Sequence, residues 1–295
     1  MHRSVFLRSS VALAAAFAGR MPAARAADRL GAGPFTIVAP FAAGGPVDSL
    51  ARLLAAGLAS LYKQPAIVDN RPGASGNIGI GLVKRAKPDG HTLLVVPQGN
   101  LTINPTLMPR LPYSVSGDFE PVASMGRTAN VIAVHPGVPA TTLQALVALS
   151  RGRPGTLSYA SPGVGSSLHL AGELLKERTG ADLLHVAYKG STLGLNDVLA
   201  GSVPIILSNL PVVLPYLRSD KLRALAVTDA VRSELLPDVP TLAEAGVQGV
   251  ALSSWYGVLA PKGTPSAWLS DWLTTSRRSS RRRPRKTSSA CRALR

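Results

Sequence analysis

Ser166, Ser167 and His169 stand close together at the end of the run Ser161-Pro162-Gly163-Val164-Gly165-Ser166-Ser167, just before an apolar-periodic stretch. Two chemistries use such residues. A serine hydroxyl beside an imidazole can serve as nucleophile and base if an acid orients the ring and an oxyanion hole faces the serine. The G-x-S-x-G elbow that presents such a serine is absent, so His169 is expected to pack or hydrogen-bond on the helix, and a serine hydrolase is the weakest of the readings kept. The other chemistry is anion binding. The first N–H groups of a helix have no intrahelical partners, and its dipole favours negative charge there. Serine hydroxyls cap such a helix or donate to an oxyanion. One turn of this kind is also the ordinary N-cap of any α/β protein, so the rest of the chain must decide.

The elements that position this turn follow from periodicity. Leu157, Tyr159 and Ala160 read as a strand, and residues 168–176 as a helix with Leu168, Ala171, Leu174 and Leu175 on one face. The same order recurs upstream. Residues 35–40 read as a strand, Phe41 to Asp48 as a glycine turn, and residues 49–61 as an amphipathic helix that Asp48 caps. Residues 66–69 form the next strand, followed by a small-residue loop through Gly73, Ala74, Ser75, Gly76 and Asn77 and a helix over 80–86. Residues 92–96 are a continuous apolar strand of the buried type, ended by Gln98, Gly99 and Asn100. Residues 111–122 read as a loop. A strand over 130–134 crosses to a second lobe, and a helix over 141–150 has Thr141 as its cap. Strands over 183–186 and 203–207 end at Tyr188 and at Ser208-Asn209. A short helix is expected over 241–245, and residues 253–260 return as a strand toward the first lobe. Ligands of open α/β sheets bind at the carboxyl ends of the strands, so repeated Gly, Ser and amide loops there argue for a cleft.

Charge has to be located before it is interpreted. The formal net charge is +16, but residues 1–25 hold four arginines and no acids, and residues 266–295 hold nine Lys/Arg against Asp271. Residues 26–265 carry 19 Lys/Arg against 15 Asp/Glu, without a basic stripe. That mild excess suits a small anion better than nucleic acid. Arg3 and Arg8, the apolar run 11–18 and Ala24-Arg25-Ala26 read as a cleavable export signal over residues 1–26, which implies a periplasmic protein. The lone Cys291 forms no intrachain disulfide. The glycine spacings fit neither a dinucleotide fingerprint nor a phosphate loop, and the five histidines are scattered, so neither cofactor nor metal is expected.

Eight segments carry a family resemblance: IVAPFAAGGPVDSLARLLA (37–55), VDNRPGASGNIG (68–79), KPDGHTLL (87–94), INPTLMPRLPYS (103–114), LSYASPGVGSSLHLAGELL (157–175), HVAYKGS (185–191), KLRALAVT (221–228) and LPDVPTLAEAG (236–246). The chain resembles the periplasmic solute-binding proteins of tripartite tricarboxylate transporters, the Bug proteins, over residues 34 to 265. The resemblance implies a two-lobed, hinged α/β fold of the periplasmic-binding-protein kind. Each lobe would be a mainly parallel sheet flanked by helices, closing on a small carboxylate in the interlobe cleft. It implies a non-enzymatic, monomeric protein that serves two membrane subunits. By position, the first-lobe contacts would be Phe41, Ala42, Gly44 and Gly45, then Ala74, Ser75, Gly76 and Asn77, with Gln98 and Asn100 beside them. The second lobe would supply Ser161, Gly165, Ser166, Ser167 and His169, with Asn209 near the cleft. In that picture the hydroxyls and the Gly165 amide donate to the ligand. A periplasmic sensor or scaffold using the same cleft is the alternative.

The resulting division is residues 27–130 for the first part of lobe 1, 131–235 for lobe 2 and 236–265 for the return to lobe 1. Residues 266–295 depart from the family in an Arg/Ser-rich tail. A reading-frame change or a disordered tail explains so sharp a shift, because no folded lobe has this composition. The tail would leave first-lobe apolar surface uncovered and lower stability.

Overall fold

Runs of β-branched and aliphatic residues become strands covered on both faces. The computed structural model describes residues 33–266 together with Trp268 and Leu269. In chain order, Phe35–Ala39 (β1) leads to helix Pro46–Tyr62 (α1), Ala66–Asn70 (β2), helix Asn77–Lys84 (α2) and Thr92–Pro97 (β3). Alternate residues of a strand point to opposite faces. Leu93 and Val95 therefore join Leu50, Leu54 and Leu58 of α1 in one core. Leu94 and Val96 join Ile80 and Val83 of α2 in another. This double burial is why β3 reads as an uninterrupted apolar run.

Two short helices, Asn104–Leu107 (α3) and Val115–Asp118 (α4), precede strand Phe119–Thr128 (β4). The chain then passes through Ala129 into Asn130–Val134 (β5), helix Leu143–Gly152 (α5), Ser158–Ser161 (β6), helix Ser167–Thr179 (α6) and Leu184–Ala187 (β7). Helix Ser191–Leu199 (α7), Ile205–Asn209 (β8), helix Leu210–Leu217 (α8), Arg223–Val227 (β9) and Ser254–Pro261 (β10) follow. There are two five-stranded sheets, ordered β2-β1-β3-β10-β4 and β7-β6-β8-β5-β9. β1 pairs parallel with β2 and β3, and β6 with β7 and β8. β10 is antiparallel to β3 and β4, and β5 to β8 and β9. Each sheet is thus mainly parallel, as expected, with one reversed strand in fourth place. That strand is the one arriving from the other lobe.

The two crossings are tied together. Thr228 N donates to Asn130 O at 3.0 Å, Leu252 N to Thr228 O at 2.7 Å, and the Thr228 hydroxyl to Leu252 O. Arg127 pairs with the buried Asp229 at 3.1 Å, and Asp229 also accepts from Asn130 N.

Several local expectations are corrected. Part of the stretch read as a loop is the start of β4. With Pro121 and Gly126 it lacks a strand pattern, and it is tolerated because β4 is an edge strand paired only with β10. Helix α1 begins three residues early because Pro46 fits the first helical position. Thr142, not Thr141, caps α5, accepting from Ala145 N at 3.1 Å. Thr241 makes a parallel bridge to Val227 instead of starting a helix. Leu242, Ala245, Val247 and Val250 pack in the second-lobe core, so residues 236–250 still belong with lobe 2, and the return begins near Ser254. Trp268 is buried in the first-lobe core with Leu269 against it, so the first residues assigned to the tail complete that core. The export signal and the remainder of the tail lie outside the described residues.

Candidate functional site

Loops at the carboxyl ends of strands from both sheets meet in one cleft enclosing about 590 Å³ of space, part of it open to solvent. The first lobe contributes Phe41, Ala42 and Gly45 after β1, Ser75 after β2, and Gly99 and Asn100 after β3. The second contributes the loop through Gly163, Gly165, Ser166 and Ser167 after β6, Gly190 and Ser191 after β7, and Asn209 at the end of β8. Lining residues open helices α1, α6 and α7, whose first-turn N–H groups have no intrahelical acceptor. No lining residue is an Asp, Glu, Lys or Arg. The cleft therefore carries no formal side-chain charge, and oriented peptide groups at the helix starts are what can favour an anion there.

The lobes touch across this cleft. Ala42 N donates to Lys189 O at 3.1 Å. A Cβ on Gly99 would lie 2.5 Å from Gly165 O, and one on Gly190 would lie 3.4 Å from Ala42 N. Trp255 N, on the returning strand, donates to Gln98 Oε1 at 3.2 Å.

Of the residues the sequence put forward, Phe41, Ala42, Gly45, Ser75, Asn100, Gly165, Ser166, Ser167 and Asn209 line the cleft. The others stand behind it as supports. Gly44 adopts φ 83° and donates to Asp48 Oδ2, so Asp48 braces the turn as a cap would. Ala74 and Ser75 are left-handed at φ 48° and 54°, uncommon for residues with a Cβ. Asn100 Nδ2 holds this turn by donating to Ser75 O at 2.8 Å. Gly76 packs against the Phe41 ring, and Asn77 meets Met108 Sδ. Gln98 tethers β10, as described.

The second-lobe turn is braced by its own polar groups. Ser166 Oγ donates to Gly163 O at 2.7 Å and accepts from His169 N at 3.0 Å. Gly165 N donates to His169 Nδ1 at 3.3 Å. Ser254 Oγ gives its proton to Asn130 Oδ1 at 2.8 Å, so in the 2.9 Å contact between Ser167 and Ser254 the donor is Ser167. These hydroxyls and the Gly165 amide are engaged within the protein. The main-chain N–H groups of Ser167 and Leu168 in the first turn of α6 have no intrahelical acceptor.

This wiring also separates His169 from both neighbouring serine hydroxyls as a base. Its Nδ1 takes the Gly165 N–H, and its ring lies 4.3 Å from His185. The close serine–histidine contact is elsewhere, Ser161 Oγ to His185 Nε2 at 2.6 Å. Ser161 is buried, accepts from Gly163 N and braces the turn. Burial, together with repulsion from His169, pulls His185 down to about 4. Burial also lowers His169. Both rings are therefore neutral in the folded protein at pH 7. Between the ordinary value of 6.5 and about 4, the unfolded chain binds the proton and the folded chain does not, so stability falls as pH drops through that window. Urea melts at pH 7 and 4.5 should show a loss of about 2 kcal/mol from His185, absent in His185→Gln.

Gly99, within the Gln98 to Asn100 stretch put forward, also lines the cleft, as do Asn104, Ser254, Tyr256, Gly163, Gly190 and Ser191, which were not predicted. Gly190 and Ser191 follow β7 as the predicted loops follow their strands, a signal that was available. Ser254 arrives from a distant strand with no local mark.

Comparison with known proteins settles the relationship. The profile described as "Tripartite tricarboxylate transporter family receptor" matches residues 50–290. The chain belongs to this family. The matched span runs past Pro265, where the sequence reading placed the departure. Protein BugT of Bordetella pertussis is 40% identical over 239 residues, covering 81% of this chain and 73% of that protein. Rpa4515 of R. palustris, solved with adipate, superposes with a TM-score of 0.79 at 39% identity, covering 82% of this chain and 81% of that one. MatC of Rhodopseudomonas palustris, with bound malate, gives 0.79 at 31% identity over 83% and 84%. The periplasmic binding protein BugD gives 0.79 at 33% identity over 85% and 83%. The resemblance drawn from the eight motifs therefore holds at the level of family and two-lobed fold.

Proposed function

We propose that this protein is an exported periplasmic receptor that captures a small carboxylate between its lobes and delivers it to two membrane subunits of a tripartite transporter. The observation that carries the reading is the neutral cleft onto which the first turns of three helices open from both lobes. Main-chain N–H groups there can hold a carboxylate without an arginine. Closed-state contacts such as Ala42 N to Lys189 O support capture by lobe closure, in which the ligand shifts the population toward the closed form. Helix N-terminal donors that grip an anion, with no serine–base pair facing the cleft, suit binding without turnover. The protein acts as a monomer in this scheme, with both jaws supplied by one chain. Adipate in Rpa4515 and malate in MatC make dicarboxylates the first compounds to try.

Isothermal titration of the mature protein against di- and tricarboxylates, acidic amino acids and aromatic acids tests the reading. We expect one site per chain and saturable binding of at least one carboxylate. A folded sample that binds none of them would overturn it.

A further inference from the structure

Around Gly165 the closed lobes leave no slack. A Cβ on Gly165 would lie 1.9 Å from Asn104 Oδ1, and one on Gly99 would lie 2.5 Å from Gly165 O. Two residues earlier, a Cβ on Gly163 would lie 3.4 Å from Ser75 Oγ of the first lobe. The closed form therefore demands one shape of the turn between β6 and α6. An open form, with solvent in place of the opposite jaw, does not.

At Gly165 that shape is held by one imidazole. Gly165, left-handed at φ 79°, donates its N–H to His169 Nδ1 at 3.3 Å. A main-chain N–H is only a donor, so Nδ1 must be the unprotonated ring nitrogen. A proton on Nδ1 would set donor against donor and break the tie. The surroundings would not stabilise the resulting charge. The ring of His185, from β7, lies 4.3 Å away and bonds to the Ser161 hydroxyl of β6. Glu173, one turn along α6, already accepts from Tyr159 of β6 at 2.7 Å and from Lys176 of α6 at 2.8 Å. Burial accordingly outweighs the attraction of Glu173 and holds His169 below its ordinary value.

We propose that His169 is a positioning residue for lobe closure, and that a proton on its ring releases Gly165 and favours the open form, so that carboxylate affinity falls with acidification. This rests on the carboxylate-binding reading above. The sign follows from linkage. In the open form the turn moves off the ring and Nδ1 takes a proton more readily. Closure on a ligand must then expel that proton, so affinity is full above the open-form value and drops as pH falls through it.

The test is calorimetric titration at pH 7.5 and 5.5 with malate, adipate and the other acids of the panel above, on the wild type and two variants. In His169→Asn the side-chain Oδ1 replaces Nδ1 as acceptor for Gly165 and does not titrate. Wild-type affinity should fall about three- to tenfold more over this interval than that of His169→Asn, the size set by a shift of up to about one pKa unit. Protonation of the acid itself is common to both proteins and cancels in the comparison. His169→Leu strands the Gly165 N–H at every pH, so it should bind weakly at pH 7.5, where His169→Asn binds like the wild type. Thermal melts at both pH values establish folding, and if His169→Leu does not fold, His169→Asn decides. Equal pH dependence in the wild type and folded His169→Asn would overturn the proposal, as would wild-type affinity in folded His169→Leu. Binding of no acid by the folded wild type at pH 7.5 would remove the underlying reading and this one with it.

Discussion

Replacing Gly99 by alanine is expected to weaken ligand binding about 10–100-fold while leaving the melting temperature of the free protein almost unchanged. The added Cβ would lie 2.5 Å from Gly165 O and 3.2 Å from the Ser166 Cα. Both are main-chain atoms of the opposite lobe, so no side chain can rotate out of the way. Overpacking of this kind costs about 1–3 kcal/mol. The clash exists only when the lobes are together, and opening relieves it. The penalty therefore falls on the closed, ligand-holding state and not on the fold of either lobe. Gly57→Ala is the control, because a Cβ there meets nothing within 4 Å. Titration calorimetry and small-angle scattering would read the result. Wild-type affinity in Gly99→Ala would mean that this approach of the jaws is not needed for binding.

The second large effect is expected at Asn130, the first residue beyond Ala129 in the crossing from β4 to β5. Asn130 is fully buried. Its Oδ1 accepts from Ser254 Oγ at 2.8 Å and Asn209 Nδ2 at 2.9 Å, and its Nδ2 donates to Leu252 O at 3.1 Å. One side chain thus joins β5, the end of β8, the return segment and, through Ser254, the first turn of α6. Asn130→Leu keeps the approximate shape and removes all three bonds. Leu252 O retains the Thr228 hydroxyl and Ser254 retains Ser167, but the buried Asn209 amide keeps no partner. Stranding a buried donor and losing two further bonds should cost about 3 kcal/mol, or about 6–12 °C in melting temperature for a chain of this size. Adding Asn209→Ala should cost less than the two single changes together, because the stranded group is then gone. A loss below about 1 kcal/mol for Asn130→Leu would show that water replaces these bonds and that the crossing is not held by them.

Both predictions concern contacts that periodicity cannot reveal, and the division between legible and illegible features follows that line. Strand β3 was readable because four consecutive apolar residues have one economical fate in an α/β sheet, burial on both faces. Helix α6 was readable from Leu168, Ala171 and Leu175 on one side. Strand β4 was not, because its Pro121 and Gly126 disguise it, and only pairing with the distant β10 makes it a strand. Among site residues, Ser75 and Asn100 were legible from the loops they sit in. The bonds of Ser166 and Ser167 to Gly163 O and Ser254 were not, since a hydroxyl reads the same in sequence whatever partner it meets.

By itself, the sequence determined most of the elements, their α/β order, the Gly- and Ser-rich loops at the strand ends and the family. These depend on neighbours within a turn or two, where steric preference and burial period act directly. The tertiary structure alone decided that Gly99 meets Gly165 and that Asn130 gathers Ser254 and Asn209. Those contacts join residues far apart in the chain. They arise only when two sheets have exchanged strands and two lobes have closed, a geometry that no local pattern encodes.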